Sequence, residues 1–138
     1  MYSYSPITPQ GLIVDDDTAI LSLVEAALEP DHYQLQLAHD AKEALRLARQ
    51  SACPLSFVVT DYNIGRDTGL DVAAAIRRIF PSTRVLMISG QAPEGLEDDA
   101  LVDAFLPKPF SAAELRDKVR ELLEHSHSHH ALAHQRIA

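Results

Sequence analysis

Four apolar runs in this chain each end in a polar or charged residue. Leu12-Ile13-Val14 leads into Asp15 and Asp16, Phe57-Val58-Val59-Thr60 into Asp61, Val85-Leu86-Met87-Ile88 into Ser89, and Ala104-Phe105-Leu106-Pro107 into Lys108. Such runs read as buried strands. A polar group just past a buried strand lies at the carboxyl edge of the sheet, where open α/β sheets place their ligand sites. Four strands can therefore each deliver one part of a single anionic, cation-binding site. Three converging carboxylates raise one another's pKa unless a cation intervenes. Mg²⁺ suits that task, because it takes oxygen ligands and keeps several of its waters. The plainer alternative for Asp61 is a loop or helix-capping acid.

The elements that must position these groups alternate along the chain. Strands are expected over residues 11–15, 33–38, 55–60, 83–88 and 103–106. Helices are expected over residues 18–28, with Ile20, Val24, Ala27 and Leu28 inward, and after Asp40, with Ala41, Ala44, Leu45 and Ala48 inward. A third covers residues 69–80, with Val72, Ala73, Ile76 and Ile79 inward, and Pro81 ends it. Residues 61–68 read as loop. Asp17 and Asp40 are expected N-caps, with metal binding the lesser alternative for Asp17. Residues 90–101 predict a short, mobile helix that holds Pro93, Gly95 and a crowd of acids. Ser111 with Glu114 three residues on reads as a capping box for a last helix whose core face is Leu115, Val119, Leu122 and Leu123. Five βα units imply a parallel sheet with helices on both faces.

The bulk numbers agree. A chain of 138 residues predicts one domain, and 46% apolar residues is globular composition. Twenty acids against twelve bases give a net charge of −8, which argues against nucleic acid as a partner. The single cysteine, Cys53, excludes an internal disulfide and fits a reducing compartment as a passive thiol. No apolar run reaches the ~20 residues that cross a bilayer, and the N-terminus has no basic and apolar leader. A soluble cytoplasmic protein with no membrane partner is expected, with a domain over residues 10–124 and a His-rich, flexible tail over residues 125–138. The tail histidines His125, His127, His129, His130 and His134 can alternatively bind Ni²⁺, Zn²⁺ or Cu²⁺.

The pieces Leu12-Ile13-Val14-Asp15-Asp16, Val58-Val59-Thr60-Asp61, Gly69-Leu70, Met87-Ile88-Ser89-Gly90 and Phe105-Leu106-Pro107-Lys108-Pro109-Phe110, in this order and spacing, resemble the receiver (response-regulator) domain of two-component signalling. The resemblance covers residues 11–123. It implies a flavodoxin-like, doubly wound sheet of five parallel strands in the order 2-1-3-4-5, with five helices. Chemotaxis receivers have that order. It implies that Asp61 is the phosphoacceptor, charged by a phosphohistidine on a sensor histidine kinase or histidine phosphotransfer protein. It further implies Mg²⁺ held directly by Asp16, Asp61 and the backbone carbonyl of Asn63, with Asp15 acting through a water. Lys108 would meet the phosphoryl oxygens or pair with unphosphorylated Asp61, and the Lys108-Pro109 peptide would be cis. Ser89 would donate its hydroxyl to the phosphoryl group, with Phe105 as the switch aromatic or, alternatively, as core only. Asn63 and Gln91 would tune dephosphorylation.

Two departures from the family pattern stand out. Gly65 replaces a usual proline, which predicts a looser loop, and the segment from Ser89 to Lys108 is short and acidic. The resulting expectation is a stand-alone receiver: a phosphoacceptor switch rather than an enzyme, which binds an unknown downstream protein or relays phosphate. The alternatives are a haloacid-dehalogenase-like phosphatase and a degenerate receiver acting as a constitutive interaction module. Asp15-Asp16-Asp17-Thr18 is near the phosphatase signature but sets Thr18 one position early.

Overall fold

Runs that are apolar at every position, such as Leu12-Ile13-Val14, are satisfied by a sheet covered on both faces. The computed structural model describes residues 8–137, with side chains through residue 124. Strands β1 (Gln10–Val14), β2 (Gln34–Ala38), β3 (Phe57–Asp61), β4 (Arg84–Ser89) and β5 (Ala104–Pro107) form one parallel sheet in the order β2-β1-β3-β4-β5. This is the expected order, and each strand end lies within two residues of its expected position.

Four α-helices cover the sheet among the described residues: α1 (Thr18–Leu28), α2 (Ala41–Gln50), α3 (Gly69–Ile79) and α4 (Ala112–Ile137). Their starts follow from capping chemistry. Asp17 accepts the Ala19 N–H at 2.9 Å and Asp40 the Glu43 N–H at 2.7 Å. Ser111 and Glu114 make the reciprocal pair, at 3.0 and 2.9 Å. The metal-binding expectation for the tail histidines concerns side chains outside the described residues.

Alternation along the strands sends side chains to two cores. On one face Ile13, Phe57, Val59, Leu86, Ile88 and Leu106 pack against Leu21, Val24 and Leu28 of α1 and Leu115, Val119 and Leu122 of α4. Two arginines of α4 tie the helices together there. Arg116 donates to the Ala27 carbonyl at 3.1 Å, and Arg120 donates twice to Asp31, at 2.8 and 2.7 Å. Tyr33 sits edge-on to Phe57 at 5.2 Å and its hydroxyl donates to Asp31. On the other face Leu12, Val14, Val58, Val85 and Met87 pack against Ala44 and Ala48 of α2, Val72, Ala73 and Ile76 of α3, and Leu96. Arg77, near the end of α3, donates to the Thr83 and Ala100 carbonyls at 3.1 and 3.3 Å and pairs with the Asp103 carboxylate, which also accepts the Val85 N–H at 2.8 Å.

Three expectations need correction. The helix expected over residues 90–101 is a single 3-10 turn, Leu96–Asp98, so the expected fifth helix is not formed there. Pro93 brings no amide for a helical bond, Gly95 is left-handed at φ +85°, and Glu94 and Asp98 would set like charges one turn apart. Residues 61–68 are not plain loop: Asn63–Ile64 pairs antiparallel with Asp67–Thr68. Gly65 takes φ +59° at the first central position of its two-residue turn, a position that glycine fills without strain. On α1 Leu21 joins Val24, Ala27 and Leu28 in the core, while Ile20 is only partly buried.

Candidate functional site

The registers of the central strands bring their carboxyl ends level. Val14 lies beside Thr60, Thr60 beside Met87 and Met87 beside Phe105. One residue further on, Asp61 lies beside Ile88, and Ser89 lies beside Pro107. Asp15, Asp61, Ser89 and Lys108 thus reach one edge because four parallel strands stop together. The backbone closes the edge behind them: the Asp15 N–H donates to the Ala38 carbonyl, Tyr62 to Ile88 and Lys108 to Ser89.

Asp15 is fully buried, Asp61 is 7% exposed and Asp16 is exposed. One carboxylate oxygen from each lies within 4.8 Å of the others. Lys108 joins the cluster, with Nζ 3.2 Å from Asp15 Oδ2 and 3.2 Å from Asp61 Oδ2. The Asp61 contact was expected; the Asp15 contact was not. Burial pushes the Asp15 carboxyl above its ordinary pKa, against the pull of the Asp17 amide that donates to it and of Lys108. Burial also works against the Lys108 ammonium, but attraction to Asp15 and the hydrogen bond to Asp61 outweigh it and hold that pKa up. The Lys108–Pro109 peptide is cis, as expected.

All-oxygen donors, two acids almost without solvent and a third open to it form a donor set that fits a hard divalent cation. The buried pair carries two negative charges against one lysine, so a cation would complete the balance. Ser89 is 2% exposed at the end of β4 and its Oγ accepts the Gln91 N–H at 3.1 Å. Gln91 itself is exposed, and so is Asn63. Phe105 is partly buried against the α2/α3 core.

Sequence reasoning missed how β3 is joined to α3. Thr68 and Asp71 form a reciprocal capping box at the start of α3, and the Thr-x-x-Asp spacing was a readable signal for it. Gly69, beside it, lets the helix start press against the end of β3. A Cβ there would stand 2.5 Å from the Asp61 carbonyl oxygen and 2.5 Å from Met87 Sδ.

Comparison with known proteins agrees with this geometry. The family model of the response regulator receiver domain matches residues 12–120. The Escherichia coli K12 transcriptional regulatory protein CpxR is 34% identical over 121 residues, which cover 84% of this chain and 50% of CpxR. The chain thus spans about half the length of that relative. A CheY-like response regulator receiver domain protein from Methanospirillum hungatei superposes with a TM-score of 0.79 at 25% identity, covering 89% of this chain and 99% of that one. A Burkholderia pseudomallei response regulator, solved with a phosphorylated aspartic acid, a calcium ion and citrate, superposes with a TM-score of 0.71 at 26% identity, covering 91% of this chain and 72% of that one. With its sheet order, its level strand ends and its lysine-bridged acids, the chain belongs to the receiver-domain family of two-component response regulators.

Proposed function

We propose that Asp61 is the phosphoacceptor of a Mg²⁺-dependent switch. The observation that carries this reading is the position of Asp61, almost buried at the end of the central strand and 3.2 Å from Lys108 Nζ. The aspartyl-phosphate in the Burkholderia relative supports it. A carboxylate oxygen of Asp61 bonds to the phosphorus of a phosphohistidine as the phosphorus–nitrogen bond breaks in line. The freed imidazole takes up a proton as it leaves. The donor is a sensor histidine kinase or a histidine phosphotransfer protein. Asp16, Asp61 and the Asn63 backbone carbonyl would hold Mg²⁺, which would supply neutralising charge to the phosphoryl oxygens. Asp15, whose Oδ1 accepts the Asp17 amide and whose Oδ2 accepts the Lys108 ammonium, would reach the cation through a water. Lys108 meets the incoming oxygens as a point charge. Ser89 offers them its hydroxyl, and Phe105 repacks as the switch aromatic.

The domain, residues 10–124, acts as a switch rather than as a turnover enzyme, in the cytoplasm, and reports by binding a protein partner or relaying phosphate. A stand-alone form belongs to this reading, although CpxR is about twice this length; immunodetection of a longer native product would overturn it. Membership of the receiver family replaces the phosphatase alternative. Asn63 and Gln91 set the lifetime of the phosphoryl group; an unchanged dephosphorylation rate in Gln91→Ala would remove Gln91 from that role.

The central test is incubation with acetyl phosphate and MgCl₂ followed by intact-mass measurement. The expected result is a gain of one phosphoryl group, absent in Asp61→Ala. No gain in the wild-type protein would leave the degenerate-receiver reading instead.

A further inference from the structure

The two edges of the sheet are finished differently. β5 starts just after Asp103 and ends in Pro107, a charge and a residue with no amide, and both are devices that blunt an edge. β2, the opposite edge, reads Gln-Leu-Gln-Leu-Ala over residues 34–38. It has no charge, no proline and no bulge in its register with β1.

The ladder to β1 fixes which backbone groups of β2 look outward. The Gln34 N–H donates to the Pro9 carbonyl at 3.0 Å, and the Ala38 carbonyl accepts the Asp15 N–H at 3.1 Å. Successive residues of a strand turn their N–H and C=O groups to opposite sides. Gln34, Gln36 and Ala38 therefore face β1, while Leu35 and Leu37 face away from it. No strand stands on that outer side among the described residues. The leucine side chains lean on the α1/α4 core and are partly buried, and Gln36 is exposed on the other face. An open groove lined by Glu25, Glu29, His32, Tyr33 and Leu35 lies beside the strand.

We propose that β2 is a self-pairing edge: two copies of the chain join β2 to β2, antiparallel, about a two-fold axis at Gln36. That register overlaps the whole strand. Gln36 meets the partner's Gln36, and Leu35 meets the partner's Leu37. The outward-facing leucines are then the residues that exchange N–H and C=O bonds, and Gln36 falls on the non-bonded pair, where side chains come closest. On one face the leucines of the two copies pack across the axis, with the groove beside Leu35 open to the partner's Leu37. On the other face the two Gln36 amides can hydrogen-bond. A second copy is the occupant because this edge complements itself under a two-fold axis. Charge favours the same place: each copy carries −8, and β2 is an uncharged stretch where two copies meet without setting like charges face to face. The strand is short, so the pairing is weak and concentration-dependent. It goes beyond the phosphoacceptor reading and does not depend on it.

The test is sedimentation velocity of the full chain over a concentration series, with a reductant present so that the exposed Cys53 cannot link copies. Amide exchange is followed in the same samples. The wild-type chain passes from monomer to dimer as concentration rises. Exchange at Leu35 and Leu37 slows as it does so, while Gln34, Gln36 and Ala38 are protected throughout by β1. Gln36→Lys sets like charges on the axis and loses the dimer, and Gln36→Glu does the same. A mixture of the two restores it, because each lysine then meets a glutamate. Thermal melts check that both variants fold; the exchange pattern of the wild type decides the matter without them. A wild-type chain that stays monomeric, with Leu35 and Leu37 exchanging freely at every concentration, would overturn self-pairing and leave the edge to a strand of another protein. A dimer that survives both substitutions, or a mixture that fails to restore it, would overturn the pairing at Gln36 and place the contact elsewhere.

Discussion

The two faces of the sheet are held in different ways. The α1/α4 face is covered by two full helices whose apolar residues interlock; Arg116 of α4 ties to the α1 backbone at Ala27, and Arg120 pairs with Asp31 just beyond α1. The other face has α2 and α3, and then only one 3-10 turn over residues 96–98 where a third helix was expected. Leu96 fills that gap, and Arg77 holds the flanking chain through Ala100 and Asp103. The first face is closed by area; the second is closed at its edge by a few directional contacts. A few contacts can be released together, whereas an interlocked helix pair cannot. The segment that can rearrange, residues 90–103, starts directly after Ser89.

The sharpest way to break this contrast is to compare two leucines. Leu115→Ala, in the interlocked face, should cost about 3–5 kcal/mol, while Leu96→Ala should cost ~2 kcal/mol or less because the loop can settle into the space left. Chemical denaturation measures both, and equal losses would erase the distinction. Next, Arg77→Met should cost about 1–3 kcal/mol, since it removes hydrogen bonds to a partly buried carboxylate. Its larger signature should be faster amide exchange over residues 99–103, with α4 unaffected. Arg120→Met, in a half-exposed pair, should shift the melt less than Arg77→Met does.

The smallest effect is alkaline. Burial, and then the neighbouring Asp31, push the Tyr33 hydroxyl up to about 12. The folded protein therefore keeps that proton where the unfolded chain has lost it, so stability is full below pH 10 and falls as pH rises from 10 to about 12. Lys108, whose pKa is also raised, acts in the same direction above 10.5. Tyr33→Phe should flatten part of this decline in melts taken across that range. An unchanged decline would assign it wholly to Lys108 and the site.

Much of this arrangement was legible in the sequence alone. Apolar runs such as Leu12-Ile13-Val14 in β1 and caps such as Asp17 are local signals, and local signals place elements well. The strand-end pattern also brought Asp15, Asp61, Ser89 and Lys108 together, because a parallel sheet makes strand ends neighbours. What escaped was of two kinds. The helix expected over residues 90–101 had apolar residues and acids that a helix would accept, but Pro93 and Gly95 decided against it. The Lys108–Asp15 contact spans 93 positions and depends on how deeply Asp15 is buried, a tertiary fact that no spacing encodes. The hairpin was hidden because Gly65 was read as slack, although the same residue makes a tight turn possible.

One consequence of the strand order concerns synthesis. β1 is an interior strand, flanked by β2 and β3, yet it is made before either neighbour. β2 follows soon after, but the other flank stays open until residue 61 has left the ribosome. During that interval Leu12, Ile13 and Val14 offer an unpaired apolar edge, the kind of surface that joins to other nascent chains. β3 closes this edge but then presents its own until β4 is made, so the open apolar front moves outward through the sheet in the order in which the strands are synthesised.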